Sequence, residues 1–130
     1  MPASRDVYVV DTSAVLAMLF REPGAEFVEN ILPEAEISAA NLTEAILKLV
    51  QRGESAANAT AMLAQILPRV IPVSEAIAQL AAGIVPAKPG LALGDRLCLA
   101  TAIKVSGIAV TADRTWAALG LNLPIRLIRP

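Results

Sequence analysis

The sequence offers carboxylates, and little else, for hydrolytic chemistry. Its 130 residues include no histidine and a single cysteine, Cys98. The absence of histidine excludes hydrolases in which histidine activates a serine or cysteine, ribonucleases with a histidine acid and base, and zinc hydrolases with histidine ligands. Hydrolysis would therefore depend on aspartate and glutamate, which bind hard cations such as Mg²⁺ or Mn²⁺.

Four acidic residues are candidates for such a site: Asp11, Glu44, Asp95 and Asp113. Carboxylates gathered within a few ångströms repel one another and raise each other's pKa, and a divalent cation removes that penalty because it supplies positive charge. A bound cation can also lower the pKa of a water ligand and offset the charge that builds on a phosphoryl group. The four acids therefore predict metal-dependent hydrolysis of phosphodiesters.

The elements that would position these acids alternate between short apolar strands and helices. Strands are predicted at 7–10, 36–38, 70–73, 108–111 and 125–128, and helices at 11–20, 23–32, 39–52, 55–67, 74–85, 94–105 and 114–119. Residues 86–93, with two prolines and a glycine, form the clearest predicted loop. This alternation is typical of an α/β fold with a parallel sheet covered by helices on both faces.

The predicted topology brings the four acids to one edge of the sheet. Asp11 and Asp113 directly follow strands, Asp95 opens a helix, and Glu44 lies in the first turns of the helix after 36–38. In a parallel sheet the carboxyl ends of the strands and the N-termini of the helices share one edge, where ligands bind. We therefore expect a common acidic site there.

Each acid also has a structural alternative. The three aspartates could each cap a helix N-terminus, which stabilises a helix by about 1 kcal/mol. Glu44 could form an exposed ion pair with Lys48, four residues further along its helix. Taken singly, these alternatives compete well with a functional role. They do not explain why all four acids fall on one edge of a chain without histidine.

The composition predicts one domain, residues 1–130, in the cytoplasm. Apolar residues make up 55% of the chain, yet no run approaches the roughly 20 residues that span a membrane, and the N-terminus does not resemble a signal peptide. The mean hydropathy of +0.59 favours a surface covered by another chain. The net charge of −1 and the pI near 5.4 provide no overall positive field for a nucleic acid.

The segments around the four acids resemble PIN domains, and the VapC toxin branch of that family in particular. They read VVDTSA at 9–14, SAANLTE at 38–44, LGDRLCLA at 93–100 and TADRTW at 111–116. Together they span nearly the whole chain in the order and spacing of that family. One such motif is weak evidence, whereas four in series are specific.

The resemblance implies a three-layer α/β/α sandwich with a short central parallel sheet. It also implies an endoribonuclease that depends on Mg²⁺ or Mn²⁺, forms a homodimer and is neutralised by a VapB-type antitoxin. By position, the acidic quartet would hold the metal and activate water. The residues expected to hydrogen-bond around the quartet are Thr12, Ser13, Asn41 and Thr111.

Other residues and other functions remain open at the level of sequence. Arg96 and Arg114, each beside an acid, are candidate phosphate contacts or simply balance the acidic charge. An aspartyl phosphatase would need Asp-x-Asp after the first strand, and a phospho-receiver domain would need an acidic pair there. This sequence has Asp11-Thr12-Ser13 at that point, which matches neither requirement. A PIN nuclease acting in RNA processing or on DNA, and a non-catalytic interaction module, are the remaining alternatives.

Overall fold

The computed structural model describes residues 6–67 and 69–130. Its five strands are β1 Tyr8–Val10, β2 Glu36–Ser38, β3 Arg69–Ile71, β4 Ile108–Thr111 and β5 Ile125–Leu127. Its six α-helices are α1 Thr12–Leu19, α2 Ala25–Ile31, α3 Ala39–Gln51, α4 Ala56–Ile66, α5 Glu75–Ala82 and α6 Leu93–Lys104. Two short 3₁₀ helices, Leu32–Glu34 and Arg114–Ala118, complete the described elements.

The five strands form one parallel sheet in the order β3-β2-β1-β4-β5. Consecutive residues of a strand point to opposite faces, so an uninterrupted apolar strand supplies two cores at once. Val9 and Ala109 pack into one core, while Val10 and Val110 pack into the other. These apolar runs in β1 and β4 make them the central strands, and the acids that follow them lie at the middle of the sheet edge.

Helices cover both faces of this sheet. The core on one face contains side chains from α1 to α4, including Val15, Val28 and Leu63. The core on the other face contains side chains from α5, α6 and the second 3₁₀ helix, including Leu99 and Trp116. This arrangement confirms the predicted three-layer α/β/α fold.

Several predicted elements differ in their bounds from the structure; the helix predicted at 74–85, for example, is α5, Glu75–Ala82. The strand predicted at 70–73 is β3, Arg69–Ile71, which ends before Pro72 at the edge of the sheet. Proline has no N–H with which to continue the ladder, so the strand stops there. The helix predicted at 114–119 is the 3₁₀ helix Arg114–Ala118. Among the described residues, no helix is long and apolar enough to cross a membrane.

Candidate active site

Asp11 lies where β1 passes into α1. Its backbone N–H donates to the carbonyl of Val110 in β4, and its Oδ1 accepts hydrogen bonds from the Ala14 N–H (2.9 Å) and the Ser13 hydroxyl (2.7 Å). Oδ2 accepts the hydroxyl of Thr111. The side chain therefore caps α1, as the structural alternative predicted, and also faces the end of β4.

The carboxylate of Asp11 is almost fully buried, with 4% of its surface exposed. Burial disfavours the charged form and raises the pKa of Asp11 to about 6, with a smaller contribution from the negative charge of Asp95. The hydrogen bonds from Thr111, Ala14 and Ser13 oppose this shift, because they stabilise the carboxylate. The chain thus carries a buried acid whose charge is only partly compensated.

Thr111 connects Asp11 to Asp113 at the end of β4. Its hydroxyl donates to Asp11 and accepts the backbone N–H of Asp113 at 3.0 Å. Asp113 in turn caps the second 3₁₀ helix, since its Oδ1 accepts the N–H (2.9 Å) and the hydroxyl (2.7 Å) of Thr115. Its Oδ2 makes no hydrogen bond within the part of the chain that the structure describes and is available to a ligand.

Glu44 is held by the start of α1 and by its own helix. Its Oε1 accepts hydrogen bonds from the Thr12 hydroxyl (3.0 Å) and from Asn41 Nδ2 (2.8 Å). The exposed ion pair with Lys48, which was the structural alternative, does not form between these two described residues. The polar groups of α1 and α3 instead direct the carboxylate of Glu44 toward α6.

Asn41 joins Glu44 to the first turn of α6. Its side chain is 1% exposed, and its Nδ2 also donates to the carbonyl of Gly94 at 3.2 Å. Both partners of this nitrogen are acceptors, which fixes the orientation of the amide. Its Oδ1 is buried without a hydrogen-bond partner among the described residues. Asn41 thus positions Glu44 and leaves one buried oxygen unpaired.

Asp95 belongs to the first turn of α6 but does not cap it. The helix begins at Leu93, and its N-cap is Ala92, which has no side-chain hydrogen bond. The cap that the sequence suggested for Asp95 is therefore wrong by position. Burial raises the pKa of Asp95 to about 6, and the negative charges of Asp113 and then Glu44 add to the shift. The carboxylates of Asp113 and Glu44 therefore lie near enough to Asp95 to disfavour its charged form.

Gly94 is a site residue that sequence reasoning missed. A Cβ atom at this position would lie 2.5 Å from Glu44 Oε1 and 2.7 Å from Oε2, closer than atoms can approach. Only glycine therefore allows the Glu44 carboxylate to rest against the backbone of α6. The available signal was weak, because Gly94 directly precedes Asp95 at the start of the predicted helix, where glycine is common for reasons of capping alone.

The structure gives Arg96 a different role from the predicted phosphate contact. Its Nη1 donates to the carbonyls of Ala81 (3.0 Å) and Ile84 (2.9 Å), so the guanidinium caps the C-terminal end of α5. Arg114 is exposed beside Asp113 and forms no ion pair within the described ranges. Of the two predicted phosphate contacts, Arg114 alone keeps a free guanidinium.

The donor chemistry of the quartet fits a hydrated magnesium ion. No three side chains of the ligand types histidine, cysteine, aspartate and glutamate converge to enclose an ion among the described residues. Mg²⁺ does not require such a cage, because it usually keeps several waters and binds one or two carboxylates together with substrate phosphates. The Oδ2 of Asp113, which accepts no hydrogen bond from the described residues, is the observation that supports this fit.

The model of the PIN domain family matches residues 8–121 of the sequence. The chain belongs to the PIN domain family. The match contains all four acids and the residues that hydrogen-bond to them. A comparison with curated proteins found no match.

Solved structures share this PIN fold at low sequence identity. FitAcB from Neisseria gonorrhoeae has a TM-score of 0.73 and 23% identity, covering 93% of this chain and 97% of the other. DNA-bound VapBC from Salmonella typhimurium has a TM-score of 0.68 and 15% identity, covering 95% of this chain and 99% of the other. VapC20 of Mycobacterium tuberculosis is a toxin that cleaves the sarcin-ricin loop. It has a TM-score of 0.66 and 21% identity, covering 88% of this chain and 95% of the other. At these identities the likeness establishes the fold alone.

The contact between Gly94 and Glu44 predicts a separation of activity from stability. Gly94→Ala should displace the Glu44 carboxylate and lower divalent-metal affinity by about 10- to 100-fold, as loss of a positioning contact does. The melting temperature should stay the same or rise, because alanine favours the helix. Isothermal titration with Mn²⁺ and thermal unfolding measure the two effects.

Gly83→Ala is the matched control, since its Cβ would meet only ordinary contacts at 3.6 Å. Equal metal affinity in both variants would contradict the inferred role of Gly94.

The burial of Asp11 predicts a pH dependence of stability with a definite sign. Its pKa is about 6 in the folded chain, above the usual 3.9, so the folded state binds the proton more tightly. The stabilisation is present below about pH 3.9 and is lost as the pH rises through 6, a change of about 3 kcal/mol. Asp11→Asn should remove this change.

Urea unfolding at a series of pH values in chelator tests this prediction. The free energy of unfolding of the wild type, relative to Asp11→Asn, should fall by about 3 kcal/mol between roughly pH 3.5 and 7.5. Asp6→Asn is the control, because Asp6 is an exposed aspartate that precedes β1. Parallel profiles for the wild type and Asp11→Asn would show that the Asp11 carboxylate is not destabilised by burial.

Proposed function

We propose that this PIN domain is a divalent-metal-dependent endoribonuclease that acts as the toxin of a VapBC-type toxin–antitoxin pair. The observation that carries the proposal is the acidic quartet itself. Asp11, Asp113, Asp95 and Glu44 lie at the carboxyl edge of the sheet, and the pKa of Asp95 is raised first by burial and then by the charges of Asp113 and Glu44. Such crowding is unfavourable in an empty pocket, and a cation removes the penalty.

The quartet would hold Mg²⁺ or Mn²⁺ through the carboxylate of Asp95, Oδ2 of Asp113 and Oε2 of Glu44, which accept no hydrogen bond from the described residues. When bound, the cation supplies positive charge to a phosphate and lowers the pKa of a water ligand. The chain contributes fixed positions: Asp11 cannot rotate because Ser13, Ala14 and Thr111 occupy both of its oxygens. A carboxylate oxygen without a hydrogen-bond donor can accept the proton that an attacking water releases.

RNA would be attracted locally, since the pI of about 5.4 gives no overall attraction. Two exposed cations, Lys88 and Arg114, lie next to the acidic site and form no ion pair within the described ranges. Both are therefore free to contact phosphates on either side of the cleaved bond. We place the activity in the cytoplasm, where the proposed RNA substrate occurs.

The partner side of the proposal rests on exposed apolar surface and on the relatives. Large hydrophobic side chains are exposed on α3, α4 and the segment that contains β3, namely Leu47, Val50, Met62, Val70 and Val73. Surface of this kind is usually covered by another chain. One solved structure with the same fold is a toxin-antitoxin complex from Klebsiella pneumoniae. We therefore propose a homodimer that binds a VapB-type antitoxin.

Cleavage of a panel of structured RNAs tests the activity. With Mg²⁺ or Mn²⁺ the wild type should cleave, and Asp95→Asn should reduce the rate at least about 100-fold, because the site then lacks one negative oxygen ligand. Chelator should abolish cleavage by the wild type, and Asp6→Asn should leave it unchanged. Single-stranded DNA in the same panel distinguishes a ribonuclease from a nuclease of broader substrate range. Equal cleavage by all variants with and without chelator would overturn the proposal.

The partner proposal predicts both a homodimer and a complex with a second protein. In light scattering the purified chain should have twice the 13.6 kDa mass of one copy. Co-expression with the reading frame encoded beside it should give a stoichiometric complex in which RNA cleavage is suppressed. A monomer that binds no adjacent gene product would leave the nuclease proposal intact and contradict the toxin role.

A further inference from the structure

A depression of about 290 Å³ adjoins the acidic site on the side of α6. It lies between the loop that precedes α6 and the second 3₁₀ helix. Asp95 and Asp113 form one wall, so the depression and the acidic quartet share two carboxylates. A molecule with a phosphate at the quartet would therefore have its neighbouring group inside this depression.

The other walls combine apolar side chains with one cation. Leu91, Ala118 and Leu119 line the depression, and Lys88 stands in the same lining. Lys88 is exposed and forms no ion pair within residues 6–67 and 69–130. The lining thus combines two carboxylates, apolar side chains and the free ammonium group of Lys88 in the exposed loop.

The loop is anchored, so the depression is a stable feature of the fold. The Ala87 N–H donates to the carbonyl of Leu119 at 2.7 Å, which ties the loop to the end of the 3₁₀ helix. Gly120 follows with a positive φ of 66°, and a Cβ atom there would lie 3.1 Å from Ala87 Cβ. This close approach fixes the spacing between the two walls.

The volume of the depression and its mixed apolar and charged lining match one nucleoside of a nucleic acid strand. Pockets for small ligands begin at about 300 Å³, so the volume of the depression suits a single nucleoside better than a longer segment of a strand. Trp116 does not contribute a stacking surface, because it is 2% exposed and packs in the core. The walls are aliphatic, so a base would be held by apolar packing beside a phosphate contact.

We propose that this depression binds the nucleoside that flanks the cleaved phosphodiester, and that Lys88 contacts the next phosphate of the strand. The inference rests on the proposed nuclease function and adds the position of the substrate. A base can enter only when it is unstacked, so cleavage should require a single-stranded or extruded nucleotide at this position. The depression should also impose a base preference there.

Filling the depression is the first test. Ala118→Phe should raise the KM for a single-stranded RNA by roughly tenfold and weaken the base preference at one position beside the cleaved bond. Affinity for Mn²⁺ should not change. Ala117→Phe is the matched control, because Ala117 is an exposed neighbour in the same 3₁₀ helix and does not line this depression. Unchanged KM and base preference in a folded Ala118→Phe would overturn the proposal.

Removing the cation is the second test. Lys88→Ala should reduce the salt dependence of RNA binding by about 0.7 in the log–log slope, the contribution of one phosphate contact on a single strand. Lys104→Ala is the control, because Lys104 is exposed at the opposite end of α6 from Asp95. An identical slope for the two variants would reject the role of Lys88.

A binding measurement separates this inference from the nuclease proposal. In an NMR titration with the four 5′-nucleoside monophosphates and Mg²⁺, backbone amides of Lys88, Gly90, Leu91 and 115–119 should shift in the wild type and not in Ala118→Phe. If the wild type cleaves no RNA, the proposed function fails and this titration alone decides whether the depression binds a nucleotide. If cleavage occurs but the shifts fall elsewhere, only the depression is rejected. If Ala118→Phe does not fold, Lys88→Ala and the wild-type titration provide the decision.

Discussion

The burial of a carboxylate at the centre of the sheet edge is the constraint around which the site is organised. Asp11 loses most of its hydration, and burial of a charge is unfavourable unless hydrogen bonds or opposite charge replace the water. The chain supplies hydrogen bonds from α1 and from the end of β4, yet the pKa of Asp11 still rises to about 6. The compensation is incomplete, so the charged form of this buried carboxylate stays disfavoured.

The same hydrogen bonds that satisfy Asp11 also align the remaining acids. Thr111 bonds to Asp11 and to the backbone of Asp113, so the two carboxylates keep a fixed relation across neighbouring strands. Glu44 is fixed from the other side by Thr12 and Asn41, which bring α1 and α3 together. Thr12, Asn41 and Thr111 therefore hold the carboxylates in fixed positions relative to one another through their hydrogen bonds.

An aspartate that caps a helix in this fold can keep one oxygen free, as Asp113 does. Asp11 and Asp113 each cap a helix through Oδ1, and the partial positive charge of a helix N-terminus partly offsets their negative charge. The structural alternative for these residues was therefore correct without excluding a site. Asp95 differs, because its helix begins two residues earlier, and its carboxylate makes no cap.

The acidity of the whole molecule and its proposed substrate are reconciled by local charge. Lys88 and Arg114 are exposed beside the acids, whereas Arg96 is occupied by carbonyls at the end of α5. A guanidinium that bonds two carbonyls has fewer donors left for phosphate. Which cations are free is a property of tertiary contacts and cannot be read from the net charge.

The sequence by itself determined the elements, the three-layer fold and the edge at which the acids meet. Side-chain periodicity and the residues at helix and strand ends depend on local backbone geometry, so Val9 and Val10 already indicate a strand with two buried faces. Only the tertiary structure decided the contacts between distant segments. Asn41 and Gly94 are 53 positions apart, and their hydrogen bond exists because α3 packs beside α6. The close approach of Gly94 to Glu44, the loss of the Glu44–Lys48 pair and the capture of Arg96 by α5 all follow from such packing, which no local pattern encodes.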